Sequence, residues 1–237
     1  MKITVLTLFP EIFPGPLGVS LIGKALQKGL YTLQVQDLKS FAIQGRVDAP
    51  PCGGGGGMLL SAEVLDAALS PLPQSATWIY PSPRGKAFSQ EKAQEWSQKE
   101  QLIFLCGRYE GVDARILEKY PFSEVSLGDY VLMGGEGAAL AMIEASVRLL
   151  PGVVGDPTSL LEDSFAETPA PLLEHPQYAS PVCWEERDVP SILLSGNHGA
   201  IDQWKRKQAC ALTRRRRPDL WNRYVAHRLS TLSESED

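Results

Sequence analysis

Two glycine-containing turns carry the side chains best spaced for ligand chemistry. The first is Gly107-Arg108-Tyr109-Glu110-Gly111, which follows the apolar run Leu102-Ile103-Phe104-Leu105. The second is Gly128-Asp129-Tyr130 with Gly134-Gly135-Glu136, which follows Val125-Ser126-Leu127. Glycine just past a strand end lets the backbone turn sharply and approach a ligand closely. In open α/β sheets that carboxyl edge is where ligands sit. One such turn reads as an ordinary βα connection. Two of them, ~25 residues apart as one βα unit requires, point to a ligand pocket. Glu110 and Asp129 lie close to these turns and serve either the ligand or the turn geometry. Two charged residues stand further on. Asp163, in Leu161-Glu162-Asp163-Ser164-Phe165, suits a base or a helix cap, and Arg148 ends a long helical pattern, where a cation is favoured.

The elements that must position these residues are legible in order. Lys2 to Leu8 reads as a buried first strand ended by Pro10, rather than a signal peptide. Val19, Leu21, Ile22, Ala25, Leu26 and Leu30 recur at helical spacing, with Gly29 at the C-cap. Thr32 to Gln36 alternates as a strand. A loop from Ser40 runs into five glycines, Gly53 to Gly57, with no following Lys-Ser/Thr, so it is not a P-loop. Ser61 is expected to cap a helix, and Thr77-Trp78-Ile79-Tyr80 to form a strand stopped by Pro81. Ser89 opens a polar helix. Gln101 to Leu105 is a strand, Val112 to Lys119 a helix, Glu124 to Leu127 a strand and Glu136 to Leu150 a long helix. In that last helix Leu140, Ile143, Val147 and Leu150 face inward. Alternating strands and helices imply a mostly parallel α/β sheet covered on both faces. From Pro151 to Trp184 the chain is proline-rich and aperiodic. Asn197-His198 then starts a helix to about Leu212, and a second helix follows Pro218. The tail Ser-Glu-Ser-Glu-Asp is expected to be disordered.

Composition narrows the class. The chain has 237 residues, 43% hydrophobic and 22% charged, as in ordinary globular proteins. No apolar run approaches a membrane span of ~20 residues. The four cysteines form no CxxC pair and the three histidines do not cluster with them. A disulfide framework or zinc site is therefore not expected, and a reducing cytoplasm is the expected setting. The net charge is −5, yet Lys205 to Arg228 holds nine basic residues against one acid, Asp219. A basic module on an acidic body suits a polyanion such as RNA, or a solvated helix face.

The motifs CGRYEG, SLGDYVLMGGE, LEDSFAE and LLSGNH, in this order and spacing, resemble the bacterial tRNA (guanine-N1)-methyltransferase family of the SPOUT class. The resemblance covers residues 1 to about 215. It implies a sheet tied into a deep trefoil knot, with a small C-terminal all-α domain. It implies S-adenosyl-L-methionine as methyl donor, held by three turns. These turns supply Tyr80, Ser82 and Pro83, then Gly107, Tyr109 and Glu110, then Ser126, Leu127, Gly128, Asp129, Tyr130, Val131, Leu132, Gly134 and Gly135. It assigns the base to Asp163 and the charge-stabilising partner of guanine O6 to Arg148. It also implies a homodimer with a shared site, and tRNA gripped at its anticodon arm. The resemblance leaves room for Mg2+ on the substrate, and no protein metal site is expected. The pattern departs from the family at Cys52, Gly56, Met133 and Ala138, where tyrosine, proline, serine and proline are usual.

The chemistry fits that assignment. Guanine N1 carries a proton, so methylation needs a base, and charge that grows at O6 needs a cation or donor. The implied division is residues 1–160 for the cofactor domain, 161–190 for a flexible linker with Asp163, and 191–237 for a basic helical tRNA-binding domain. Two other readings stay open on the residues: a knotted ribose 2′-O-methyltransferase, and a non-catalytic RNA-binding module. A Rossmann methyltransferase is disfavoured because no GxGxxG follows the first strand.

Overall fold

The computed structural model describes residues 1–166 and 170–233. The chain divides into two compact units, Met1–Gly155 and Asp156–Asp237.

The first unit runs β1 (Lys2–Thr7), α1 (Ser20–Gln27), β2 (Thr32–Asp37), β3 (Asp48–Ala49), β4 (Leu59–Leu60), α2 (Ala62–Leu69), β5 (Thr77–Ala87), α3 (Gln90–Ser97), β6 (Gln101–Leu105), α4 (Ala114–Lys119), β7 (Phe122–Ser126) and α5 (Glu136–Val147). Five strands form one sheet in the order β2-β1-β6-β5-β7, and every pair in it is parallel. The short strands β3 and β4 pair separately and antiparallel.

Successive strand residues point to opposite faces, and both faces are covered. Ile3, Val5, Leu102 and Phe104 pack with Ile22 and Ala25 of α1, Trp96 of α3 and Met142 and Ile143 of α5. Leu6, Trp78, Ile103 and Leu105 pack with Leu65 and Leu69 of α2 and Ile116 of α4. Each fully buried aliphatic side chain contributes about 1.5–3 kcal/mol. This is why the strands read as near-continuous apolar runs. On α5, Ile143 and Val147 are buried as expected, while Leu140 and Leu150 pack only partly buried against the core.

Several expected boundaries move. Pro81 does not end β5. The strand continues to Ala87, and both Pro81 and Lys86 stand opposite Val125 of β7. Pro81 and Pro83 have no N–H for a ladder, so the segment bulges out and re-pairs. Gly85 makes the return feasible, since a Cβ there would lie 2.3 Å from the Val125 nitrogen. Ser61 precedes α2, but its side chain makes no capping hydrogen bond. Ser89 does cap α3, its Oγ accepting from the Lys92 N–H at 3.3 Å. The helix expected from Val112 starts at Ala114, because the Asp113 carboxylate accepts from the Arg115 N–H at 3.0 Å and caps it. Gly29 has φ +71° and donates to the Leu26 carbonyl at the end of α1, as a C-cap glycine should.

The second unit holds α6 (Ser159–Glu162), β8 (Cys183–Trp184), β9 (Arg187–Asp188), α7 (His198–Arg216) and α8 (Pro218–Ser233). Described parts of the proline-rich stretch pack against the helices. Ala170 and Leu172 are buried with Ala209 and Tyr224 of the two long helices. The Leu173 N–H donates to Thr213 Oγ1 at 2.8 Å, and that buried hydroxyl donates in turn to the Ala209 carbonyl. The β8–β9 hairpin turns through Glu185 and Glu186, both at positive φ, without the glycine or asparagine that would have signalled it. Asn197 caps α7, its Oδ1 accepting from the Ala200 N–H at 3.2 Å. Of the tail expected to be disordered, Ser233 ends α8, and residues 234–237 lie outside the described residues, as does Glu167. Among the described residues no helix is long and apolar enough to cross a membrane.

Candidate active site

A cavity of about 430 Å3 opens at the carboxyl ends of β5, β6 and β7. Three turns wall it: Tyr80 to Arg84, Gly107 to Val112, and Ser126 to Gly135. Fourteen of the fifteen residues expected at the cofactor line it. The exception is Asp129, which is exposed and stands outside the wall. At the mouth, Tyr130, Val131, Leu132 and Met133 form a consecutive exposed apolar run.

Two of the turns are locked together by a network that sequence reasoning missed. Arg108 Nε donates to Glu136 Oε1 at 3.1 Å. Thr7 Oγ1, at the end of β1, donates to the same oxygen at 2.6 Å. The Thr7 hydroxyl oxygen also accepts from the Phe9 N–H, and the Arg108 guanidinium lies 4.3 Å from the Phe9 ring centroid. Glu136 is 2% exposed, so these partners offset the cost of burying its side chain. Its Oε2 is 3.0 Å from Arg108 Nε, an ion-pair contact without the direction of a hydrogen bond. Main chain adds a tie, the Gly135 N–H donating to the Gly107 carbonyl at 3.0 Å. Nothing local in the sequence signals this cluster, whose members are 28 and 129 residues apart.

The glycines here are steric necessities. A Cβ on Gly107 would lie 2.8 Å from the Tyr80 hydroxyl, and one on Gly134 would lie 2.4 Å from Arg108 Nε. Tyr109 sits at φ +59°, which swings its ring outward, half exposed at the cavity wall. Burial raises the Tyr80 phenol above its ordinary pKa, and burial beside Glu136 pushes the Cys106 thiol well up, so both stay neutral. The five-glycine run ends against this wall. The Glu110 N–H donates to the Met58 carbonyl, and a Cβ on Gly57 would strike the Glu110 side chain at 2.5 Å.

The two residues expected to carry the chemistry fall in different units. Arg148 is the C-cap of α5, with its N–H donating to the Glu144 carbonyl, and it does not line the cavity of the first unit. Asp163 ends α6 in an extended conformation. It lines a second cavity of about 200 Å3, with Glu162, Glu174, His175, Asp202, Lys205 and Arg206 among its other walls. Lys205 Nζ holds both Glu162 oxygens, at 2.9 and 3.1 Å. Among the described residues no cluster of three or more His, Cys, Asp or Glu is arranged to hold a metal ion.

Known proteins similar to this chain give its family. The family described as tRNA (Guanine-1)-methyltransferase TrmD matches residues 1–223. A tRNA (guanine-N(1)-)-methyltransferase of Gluconobacter oxydans is 51% identical over 227 residues, covering 94% of this chain and 95% of the relative. One of Cereibacter sphaeroides is 51% identical over 234 residues, covering 94% and 92%. One of Rhodospirillum rubrum is 47% identical over 233 residues, covering 97% and 96%. The chain belongs to the tRNA (guanine-1)-methyltransferase family and is a tRNA (guanine-N1-)-methyltransferase.

Proposed function

We propose that the enzyme transfers a methyl group from S-adenosyl-L-methionine to N1 of the guanosine at position 37 of tRNA, 3′ of the anticodon. The observation that carries this reading is the cavity of about 430 Å3 at the carboxyl edge of the sheet. Its volume lies in the ~300–1,000 Å3 range of small-ligand pockets. Its walls at Gly107 and Gly135 are main chain brought so close that a Cβ would meet Tyr80 or the Cys106 backbone. Such walls suit a flat adenine, whose edges backbone N–H and C=O groups read. Leu127 and Leu132, also in the wall, offer apolar surface. The residues present therefore fit the group. When bound, the cofactor supplies a methyl on sulfonium sulfur that needs no further activation.

The chain's own residues then have four tasks. The glycine turns hold and orient the donor, and the Arg108–Glu136–Thr7 network keeps those turns in register. Asp163 removes the N1 proton of guanine. Arg148 stabilises the negative charge that develops at O6. The basic helices α7 and α8 grip the anticodon arm through phosphate contacts. This reading includes a deep trefoil knot in the first unit. It also includes a cytoplasmic homodimer in which Asp163 and the cofactor turns of one site come from different subunits.

The test is methyl incorporation from labelled S-adenosyl-L-methionine into two tRNA transcripts, one with guanine 3′ of the anticodon and one with adenine there. Label in the first alone, mapped to N1, is expected. Label in both would place the target elsewhere and withdraw the roles of Asp163 and Arg148.

A further inference from the structure

The second cavity contains a group that the reaction as described does not use. The His175 side chain is 8% exposed. Its Nδ1 lies 3.1 Å from the Pro176 carbonyl, an acceptor, so Nδ1 carries the hydrogen. In the neutral ring Nε2 is then a bare acceptor. That atom is buried and has no hydrogen-bond partner among the described residues. The nearest charged oxygen is Glu162 Oε2 at 3.9 Å, another acceptor, and Lys205 already engages it. Trp204 packs edge-on against the ring with centroids 6.3 Å apart, and its indole N–H makes no hydrogen bond to Nε2.

The surrounding charge narrows what can satisfy this atom. Glu162, Asp163, Glu174 and Asp202 line the cavity against Lys205 and Arg206. An acid-rich wall rejects a phosphate and accepts a ligand that presents N–H donors. Guanine has two donors on its Watson–Crick edge, the N1 imino and the 2-amino group, beside the O6 acceptor. With Asp163 taking the N1 proton, the amino group remains to be read.

We propose that His175 is a specificity-determining residue, its Nε2 accepting a hydrogen bond from the 2-amino group of the guanine to be methylated. The assignment rests on the reading of Asp163 as the base for N1. A buried acceptor left unpaired costs free energy that a ligand donor recovers. His175 therefore favours guanine over a base that keeps N1–H and O6 but lacks the amine.

Inosine is that base. Full-length enzyme is assayed with tRNA transcripts carrying guanosine or inosine 3′ of the anticodon, as wild type, His175→Phe and His175→Gln. The wild type is expected to show kcat/KM about ten-fold lower on inosine. His175→Phe keeps the ring packing and is expected to reduce that preference below two-fold by losing rate on guanosine. His175→Gln, which restores an acceptor, is expected to recover part of it. An unchanged preference in a folded His175→Phe overturns the proposal. So does equal wild-type use of both tRNAs, a comparison that needs no variant to fold. Transfer to neither base in the wild type overturns the underlying reaction as well, whereas equal transfer to both leaves the reaction standing and removes only the role of His175.

Discussion

The cavity in the first unit is walled by glycine-containing turns, and the cavity in the second is lined by six charged side chains beside apolar ones. In the first, three turns meet at glycines that admit no side chain, and the buried Arg108–Glu136–Thr7 cluster fixes them. Glu136 Oε1 accepts from both Arg108 and Thr7, and Oε2 is held by the Arg108 ion pair alone. In the second, the Nε2 of His175 waits for a partner, and the Glu162–Lys205 pair is partly exposed. The contrast fits the division of labour proposed above, in which the cofactor would be met by a preformed surface and the RNA would be read by side chains that gain their partners on binding.

The largest expected effect sharpens the first half of that contrast. Glu136→Ala leaves the Arg108 guanidinium without its buried counterion and should lower stability by about 3 kcal/mol. Chemical denaturation measures the loss, and calorimetry should show weakened cofactor binding with it. A variant as stable as wild type would mean that the turns hold without the cluster.

A second effect comes from Tyr31, which is fully buried and donates to the Leu17 carbonyl at 3.2 Å. Burial pushes its pKa up to about 12, against about 10 in the unfolded chain. Folding thus favours the neutral phenol. The stabilisation is complete below pH 10 and is lost as pH rises through 12. Melting temperatures from pH 9 to 12 should fall more steeply for wild type than for Tyr31→Phe.

The smallest effect belongs to the second unit. Asn197→Ala removes the α7 cap and should cost about 1 kcal/mol. If the unit's order depends on α7, denaturation should show this loss while cofactor affinity stays unchanged. A drop in cofactor affinity would break the separation of the two cavities.

The sheet was legible because buried parallel strands are apolar runs, and Gln101–Leu105 falls where its sequence places it. The turn residues were legible because glycine past a strand end has few other uses. Pro81 misled because proline usually ends a strand, whereas here the chain bulges and re-pairs on β7. Ser61 misled because a residue type that caps helices does so only if its side chain is free to turn inward. The Glu136 cluster was invisible, since its partners are distant in sequence and Thr7 reads as one more strand residue. His175 carried no motif at all. Its interest lies in one atom without a hydrogen-bond partner among the described residues, which only the fold can expose.

The most direct test of the whole account is one variant with two readouts. Asp163→Asn should keep S-adenosyl-L-methionine affinity within about two-fold of wild type by calorimetry. Its methyl transfer to tRNA should fall by ~10²-fold or more, the loss expected for a general base. Retained transfer, or cofactor binding lost along with transfer, would contradict the assignment of donor binding to the first unit and proton removal to the second.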